Sequence, residues 1–207
     1  MTTIIDYGMG NLGSVQNMLK KIGEPSIIAS DNQSIKNATR ILLPGVGSFD
    51  NAIKNLHKLD IFTHIKDKVL DEKVPIMGIC LGMQLLTNGS EEGSSEGFGL
   101  IDAEAKKFHF THQNKNLFIP HMGWNTVENK KESHLFQNTQ VQNRFYFVHS
   151  YAIQCHNPQD ILTTTKYGCE FTSGFEKENI IGFQFHPEKS HKFGMRLFQN
   201  FVEHYHA

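Results

Sequence analysis

Cys80 stands between two glycines in the stretch GICLGMQLL, residues 78–86, where an apolar run of strand character gives way to a helical one. A cysteine that only fills space needs no glycine on either side, since larger neighbours would pack the core better. Gly78 and Gly82 therefore point to a crowded strand-to-helix turn around an exposed sulfur, the G-x-S-x-G nucleophile elbow with sulfur in place of oxygen. A helix opening at Leu81 would set its positive end and unpaired N–H groups near that sulfur, favouring the thiolate and offering an oxyanion donor. Such a nucleophile needs a base, and twelve histidines compete for the role. His186 differs from the others. It ends the strand-like run IIGFQF at HPE, where Pro187 stops the strand and Glu188 reaches back to the imidazole. Glu188 would fix the tautomer and stabilise the imidazolium while the other ring nitrogen faces Cys80. Alone, the first motif also fits an inert core thiol and the second a strand-ending turn; together they describe a hydrolytic Cys-His-Glu triad.

A triad drawn from residues 80 and 186–188 requires a fold that brings distant segments together. The N-terminal half alternates short β-rich runs with helical patterns: TIID before NLGSVQNMLKKIG, then SIIAS, then RILLPG before SFDNAIKNLHKL, then VPIMGIC before LGMQLL. That alternation predicts βαβ units on a central, largely parallel sheet with helices on both faces. Gly23 reads as a Schellman-type stop to the first helix and Ser48 as an N-cap. From about Lys106 the texture changes to KKFHF, NLFIPHMGW, RFYFVHSYAI, ILTTTKYG and IIGFQF, which predicts a mixed or antiparallel extension. Residues 88–99, NGSEEGSSEGFG, read as a surface loop. Leu197, Phe198, Phe201, Val202 and Tyr205 recur at helical spacing and predict an amphipathic closing helix. No linker or repeat divides residues 1–207, so a single domain is expected.

A net charge of −1 with scattered basic residues leaves no electrostatic footprint for nucleic acid, and no run approaches the ~18 apolar residues of a membrane span. A small substrate is expected. The opening MTTIIDYGMGN lacks the basic start and long apolar stretch of a secretory signal and reads as a first strand, which predicts a cytoplasmic chain. Cys80, Cys155 and Cys169 form neither a C-x-x-C pair nor an even disulfide framework, so neither disulfides nor a metal site is expected.

GICLGMQ and FQFHPEKS together resemble the class I (triad-type) glutamine amidotransferases, nearly end to end. Within them, DYGMGN, LLPGVGSF, Met83 in place of a frequent histidine, PHMGWN and FVHSY resemble one branch, the glutaminase subunits of imidazole glycerol phosphate synthases. The resemblance implies a flavodoxin-like α/β domain, with no cofactor, that hydrolyses L-glutamine and passes ammonia to a (β/α)₈-barrel cyclase in a heterodimer. It also implies roles: Cys80 as the thioester-forming nucleophile, His186 as general base and acid, Glu188 as its orienting partner. PGVG resembles the oxyanion strand, in which Gly45 and Gly47 permit a peptide flip that turns the Val46 N–H toward the oxyanion beside that of Leu81. Glutamine would be held by Gln84, by Glu92 facing its α-ammonium, and by backbone around Ser150 and Tyr151. Asn11, His121, Met122, Trp124 and Lys189 resemble positions facing the barrel, although Trp124 also fits a core aromatic. Similar subunits supply synthases that aminate activated sugars of surface polysaccharides, a group that KKFHF and HPEKSHKFGM resemble too. A noncatalytic assembly subunit is the remaining alternative, against which the intact triad argues.

Overall fold

Alternating apolar residues split the core between two faces of one sheet, and that division places every helix. In the computed structural model, which describes residues 1–110, 117–138 and 142–206, the strands and helices run in the following order. First come β1 (Thr2–Ile5), α1 (Leu12–Lys21), β2 (Ser26–Ala29), α2 (Asn32–Lys36), β3 (Ile41–Gly45), α3 (Phe49–Lys58) and α4 (Phe62–Leu70). Then follow β4 (Ile76–Cys80), α5 (Leu81–Leu85), β5 (Gly89–Ser90), β6 (Ala103–Lys107), β7 (His121–Asn129), β8 (Asn143–His149) and β9 (Tyr151–Cys155). The chain closes with β10 (Ile161–Tyr167), β11 (Cys169–Lys177), β12 (Ile180–Phe183) and α6 (His191–His204).

The strand order is β2-β1-β3-β4-β12-β11-β10-β7-β8, with β5, β6 and β9 branching from β11. The first five are mutually parallel; from β12 onward the path is antiparallel. This is the flavodoxin-like order that the resemblance implies, with the antiparallel extension that the sequence pattern predicts. Ile5, Ile41, Leu43 and Ile76 pack with α2, α3 and α4 on one face. Ile4, Leu42 and Met77 pack with Val15, Leu19, Leu197, Phe198 and Phe201 of α1 and α6 on the other. The period of two along each strand thus sorts side chains between two helical layers.

Helix boundaries follow local chemistry. Gly23 sits at φ +81°, the Gly23 N–H donates to Lys20 O and the Glu24 N–H to Leu19 O, which is a complete Schellman stop. Ser48 is the residue before α3, but its side chain makes no capping bond; a carboxylate from elsewhere satisfies the N–H of Phe49, the first helical residue. The run NLFIP is not a strand: the described residues 117–120 are irregular, and strand geometry begins at His121, because Pro120 has no N–H to give a ladder. Asn116 and the rest of 111–116 lie outside the described residues. The buried Arg40 joins the ends of the chain: its guanidinium donates to Val202 O, Tyr205 O and the Glu24 carboxylate. Among the described residues, no helix is long and apolar enough to cross a membrane.

Two glycines give opposite expectations. A β-carbon on Gly82 would overlap the Leu43 carbonyl oxygen, whereas one on Gly13 meets nothing within 4 Å. Gly82→Ala should cost about 3 kcal/mol in urea unfolding, while Gly13→Ala, in an exposed helical turn, should gain about 0.5–1 kcal/mol.

Candidate active site

β3, β4 and β12 run parallel and end together, and the candidate triad gathers at their carboxyl ends, where ligands bind in open α/β sheets. Gly45 is the register partner of Cys80 across β3 and β4. Phe183 pairs with Ile79 across β12 and β4, so the three residues after Phe183 carry His186 to the same edge. The turn after β4 is as tight as the sequence implies. Cys80 has φ +55° and ψ −110°, a conformation costly for a residue with a β-carbon and characteristic of functional elbows. Gly78 and Gly82 are required sterically, since a β-carbon on Gly78 would press on the Gly82 carbonyl. Two expectations are corrected. The sulfur is recessed, with Cys80 only 7% exposed, because the segment 148–151 passes beside it. And α5 is one short buried helix of five residues, so the donor available to an oxyanion is the local Leu81 N–H rather than the field of a long helix.

His186 is held from several sides. Its backbone N–H donates to Tyr146 O at 2.8 Å, and its carbonyl accepts from Ser190 Oγ at 2.6 Å. Ser190 Oγ in turn accepts from the Tyr146 N–H. On the ring, Nδ1 donates to Glu188 Oε1 at 2.7 Å, and the buried Nε2 meets no nitrogen or oxygen partner among the described residues, which leaves it to interact with the Cys80 sulfur. Burial pulls the imidazole down, but the Cys80 sulfur and the Glu188 carboxylate push it up, to a net of about 10. The direction favours the imidazolium, the form that protonates a leaving amine.

Cys80 opens onto a cleft of about 320 Å³ that is also walled by Val46, Gly47, Leu81, Gln84, Glu92, Pro120 and residues 148–151, a volume suited to a free amino acid; His186 and Glu188 are buried beside the sulfur and do not line it. A larger hollow of about 730 Å³ beside Asn129–Gln137 contains no cysteine. Of the residues expected to form the oxyanion hole or hold the substrate, Val46, Gly47, Leu81, Gln84, Glu92, Ser150 and Tyr151 line this cleft and Gly45 does not; the β-carbon position of Gly45 is blocked by the Tyr7 hydroxyl, which donates to Pro44 O. Burial, then the nearby Cys80, pushes that phenol far up, so it stays a donor. Gln84 Nε2 donates to Gln184 Oε1 at 3.1 Å and toward Tyr151 O at 3.5 Å. Because the Tyr151 carbonyl can only accept, this orients the Gln184 amide with its Nε2 toward Cys80 Sγ, at 3.7 Å. Glu92 Oε2 accepts from the Phe49 N–H at 2.9 Å.

The residues expected at a partner surface divide. Asn11 is exposed and caps α1 through the Ser14 N–H. Met122 is 61% and Trp124 40% exposed, which excludes Trp124 as a core aromatic; its ring stacks on His191. The Lys189 ammonium stands over the Tyr146 ring. His121 is a correction: it is 2% exposed and presents no surface to a partner. Its Nδ1 donates to His149 Nε2 at 2.9 Å, His149 Nδ1 donates to Tyr151 O at 2.7 Å, and Asn125 Nδ2 donates to His121 Nε2 at 3.2 Å. Burial pulls His149 down to about 3 and His121 to about 4, so both are neutral and their tautomers are set by the Tyr151 carbonyl. Sequence reasoning missed Gln184, Ser190, Tyr146 and His149, although FQFHPEKS and FYFVHSY contain all four.

Fold and site together define a glutamine amidotransferase domain of the triad type. Residues 3–205 match the family described as Glutamine amidotransferase class-I, and the chain belongs to that family. It is 52% identical over 203 residues to the Imidazole glycerol phosphate synthase subunit HisH 2 of Methanococcus maripaludis, covering 98% of this chain and 99% of the relative. It is 44% identical to the protein of the same name from Pseudomonas aeruginosa, with the same coverage. Among solved structures, PurLQS from Thermotoga maritima superposes with TM-score 0.73 at 18% identity, covering 98% of this chain and 97% of that one; this likeness concerns the fold.

The titrations have opposite signs. His186, raised above its unfolded value of about 6.5, contributes stability that is complete below pH 6.5 and is lost as pH rises toward about 10. His121 and His149, depressed to about 4 and about 3, contribute stability that is complete above pH 6.5 and is lost as pH falls toward those values. Urea unfolding across pH should therefore fall away on both sides, and His186→Asn should flatten the alkaline limb while leaving the acid limb in place.

Proposed function

We propose that this chain is the glutaminase subunit of an imidazole glycerol phosphate synthase, hydrolysing L-glutamine and handing the ammonia to a (β/α)₈-barrel cyclase that forms imidazole glycerol phosphate. The observation that carries the chemistry is the strained Cys80 beside a His186 ring whose far nitrogen is fixed on Glu188. The names of the near-full-length relatives support the choice of synthase.

In this mechanism glutamine enters with its α-ammonium toward Glu92 and its backbone end against residues 150–151. The Cys80 thiolate attacks the side-chain carbonyl carbon, and the carbonyl π pair moves to oxygen. The Leu81 N–H receives that oxyanion, with the Val46 N–H as the second donor when the peptide between Gly45 and Val46 turns inward. As the tetrahedral carbon collapses, the C–N bond breaks and the His186 imidazolium gives its proton to the departing nitrogen, releasing ammonia and leaving a glutamyl thioester. The now neutral His186 takes a proton from water, the hydroxide oxygen attacks the thioester, and glutamate leaves with the thiolate restored. Glu188 holds the ring and balances its charge throughout.

A partner fits the face beside this cleft. Phe118, Ile119, Met122, Trp124 and Val46 are exposed large apolar side chains on segments that adjoin the cleft, a pattern associated with protein contacts. Trp124 is the register partner of Tyr146, and Tyr146 bonds the backbone of His186, so docking at Trp124 reaches the general base through two paired residues.

Two experiments test the reading. Cys80→Ala should abolish glutamate release while the complex, supplied with ammonium salt, still closes the imidazole ring; substantial residual glutaminase would overturn the nucleophile. Formation of an amino sugar in place of ring closure would move the acceptor to the surface-polysaccharide class. Trp124→Ala and Lys189→Ala should shift the free chain's unfolding by less than about 1 kcal/mol and weaken its binding to the barrel subunit, measured by titration calorimetry.

A further inference from the structure

The loop after β5 and the first turn of α3 hold each other through two carboxylates pointing in opposite directions. Glu92 of the loop accepts the Phe49 N–H, the first unpaired donor of α3, through Oε2 at 2.9 Å, while the Ser48 side chain makes no capping bond. Asp50 of the helix reaches back: Oδ1 accepts from the Ser95 N–H at 2.9 Å and the Ser94 N–H at 3.1 Å, and Oδ2 from the Ser94 N–H at 3.2 Å. These bonds hold the Asp50 carboxyl below the usual carboxylate range. The fit is close, since a β-carbon on Gly93 would overlap the Asp50 carboxylate. Asp50 itself is not part of the cleft wall, whereas Glu92, Val46 and Gly47 are.

Phe49 and Asp50 directly follow the Gly45–Ser48 segment, so whatever is fastened to the first turn of α3 is fastened to the oxyanion strand. We infer that Asp50 is a positioning residue for glutamine turnover: with Glu92 it latches the substrate-binding loop to the oxyanion segment, placing the carboxylate for the α-ammonium and the N–H for the oxyanion as one unit. The inference rests on the reading of this cleft as the glutamine site. One Glu92 oxygen is committed to Phe49, and the other is free for the ammonium. Holding both ends of the substrate to one rigid frame keeps the reacting carbonyl in line with Cys80. An aspartate that only favoured the helix N-terminus would stabilise the fold without distinguishing one Cys80 reagent from another.

That difference gives the test. The full chain is treated with a diazoketone analogue of L-glutamine, which needs the ammonium site and the oxyanion hole, and separately with iodoacetamide, which needs only the sulfur; mass spectrometry reads modification at Cys80. Asp50→Ala should slow the glutamine analogue about tenfold, as expected for losing charge-assisted hydrogen bonds, and leave the iodoacetamide rate within about twofold. Asp50→Asn, which keeps one acceptor oxygen, should fall between. Gly93→Ala displaces the carboxylate from the other side and should reproduce the effect, so the test survives if Asp50→Ala fails to fold. Combining Asp50→Ala with Glu92→Ala should cost less than the product of the separate losses, because Asp50 acts by placing the side chain that the second change removes. Unchanged analogue rates, equal losses with both reagents, or strictly multiplicative losses would overturn the latch. Labelling of a residue other than Cys80 in the unmutated chain would instead overturn the glutaminase reading, so the two failures are distinct.

Discussion

The register of three parallel strands sets the distances on which the site depends. With Gly45 beside Cys80 and Phe183 beside Ile79, neighbouring backbones lie about 4.8 Å apart. Residues 45–47, Cys80 and His186 therefore leave the sheet in adjacent rows. A slip by one residue on β12 would turn His186 to the opposite face. The glycines at 45, 78 and 82 allow that register to continue into the turn, because the chain doubles back at contact distance from β3. The elbow is consequently inseparable from the sheet, and its backbone cost at Cys80 is offset by fully buried strands on both sides.

Behind the nucleophile is a line of buried amides and imidazoles in which each proton has one destination. Asn125 donates to His121, His121 to His149 and His149 to the Tyr151 carbonyl. The same carbonyl receives Gln84, which also donates to Gln184, which points its amide at Cys80. A carbonyl that cannot donate thus fixes the direction of both arms. Buried polar networks of this kind give a unique arrangement only when every member is satisfied. Here the network leaves the Gln84 side-chain oxygen uncommitted at the cleft wall.

Much of this was legible in the sequence because the chemistry is concentrated in short motifs. G-x-C-x-G describes its own turn and H-P-E its own ion pair, and the two periodicities separate the parallel half from the aromatic strands. Other features depend on partners far along the chain. Asp50 meets Ser94 at a separation of 44 residues and Gln84 meets Gln184 at 100; nothing local distinguishes either from a solvated side chain. His121 was misread because its exposure depends on whether β7 turns it toward His149 or outward, which strand register decides. The recessed sulfur has a similar origin, since the covering residues 148–151 are remote in sequence.

β12 lies in the middle of the sheet, between β4 and β11, yet it is the last strand in the chain. A central strand contributed so late makes the fold non-local, and contacts of that kind close slowly because the intervening loop entropy must be overcome first. During synthesis, β1 to β4 emerge while the strand that leads to His186 is still absent, so β4 lacks one of its two neighbours. The thiol is therefore made about a hundred residues before its histidine, and its reactive pairing comes into being only with insertion of the keystone strand.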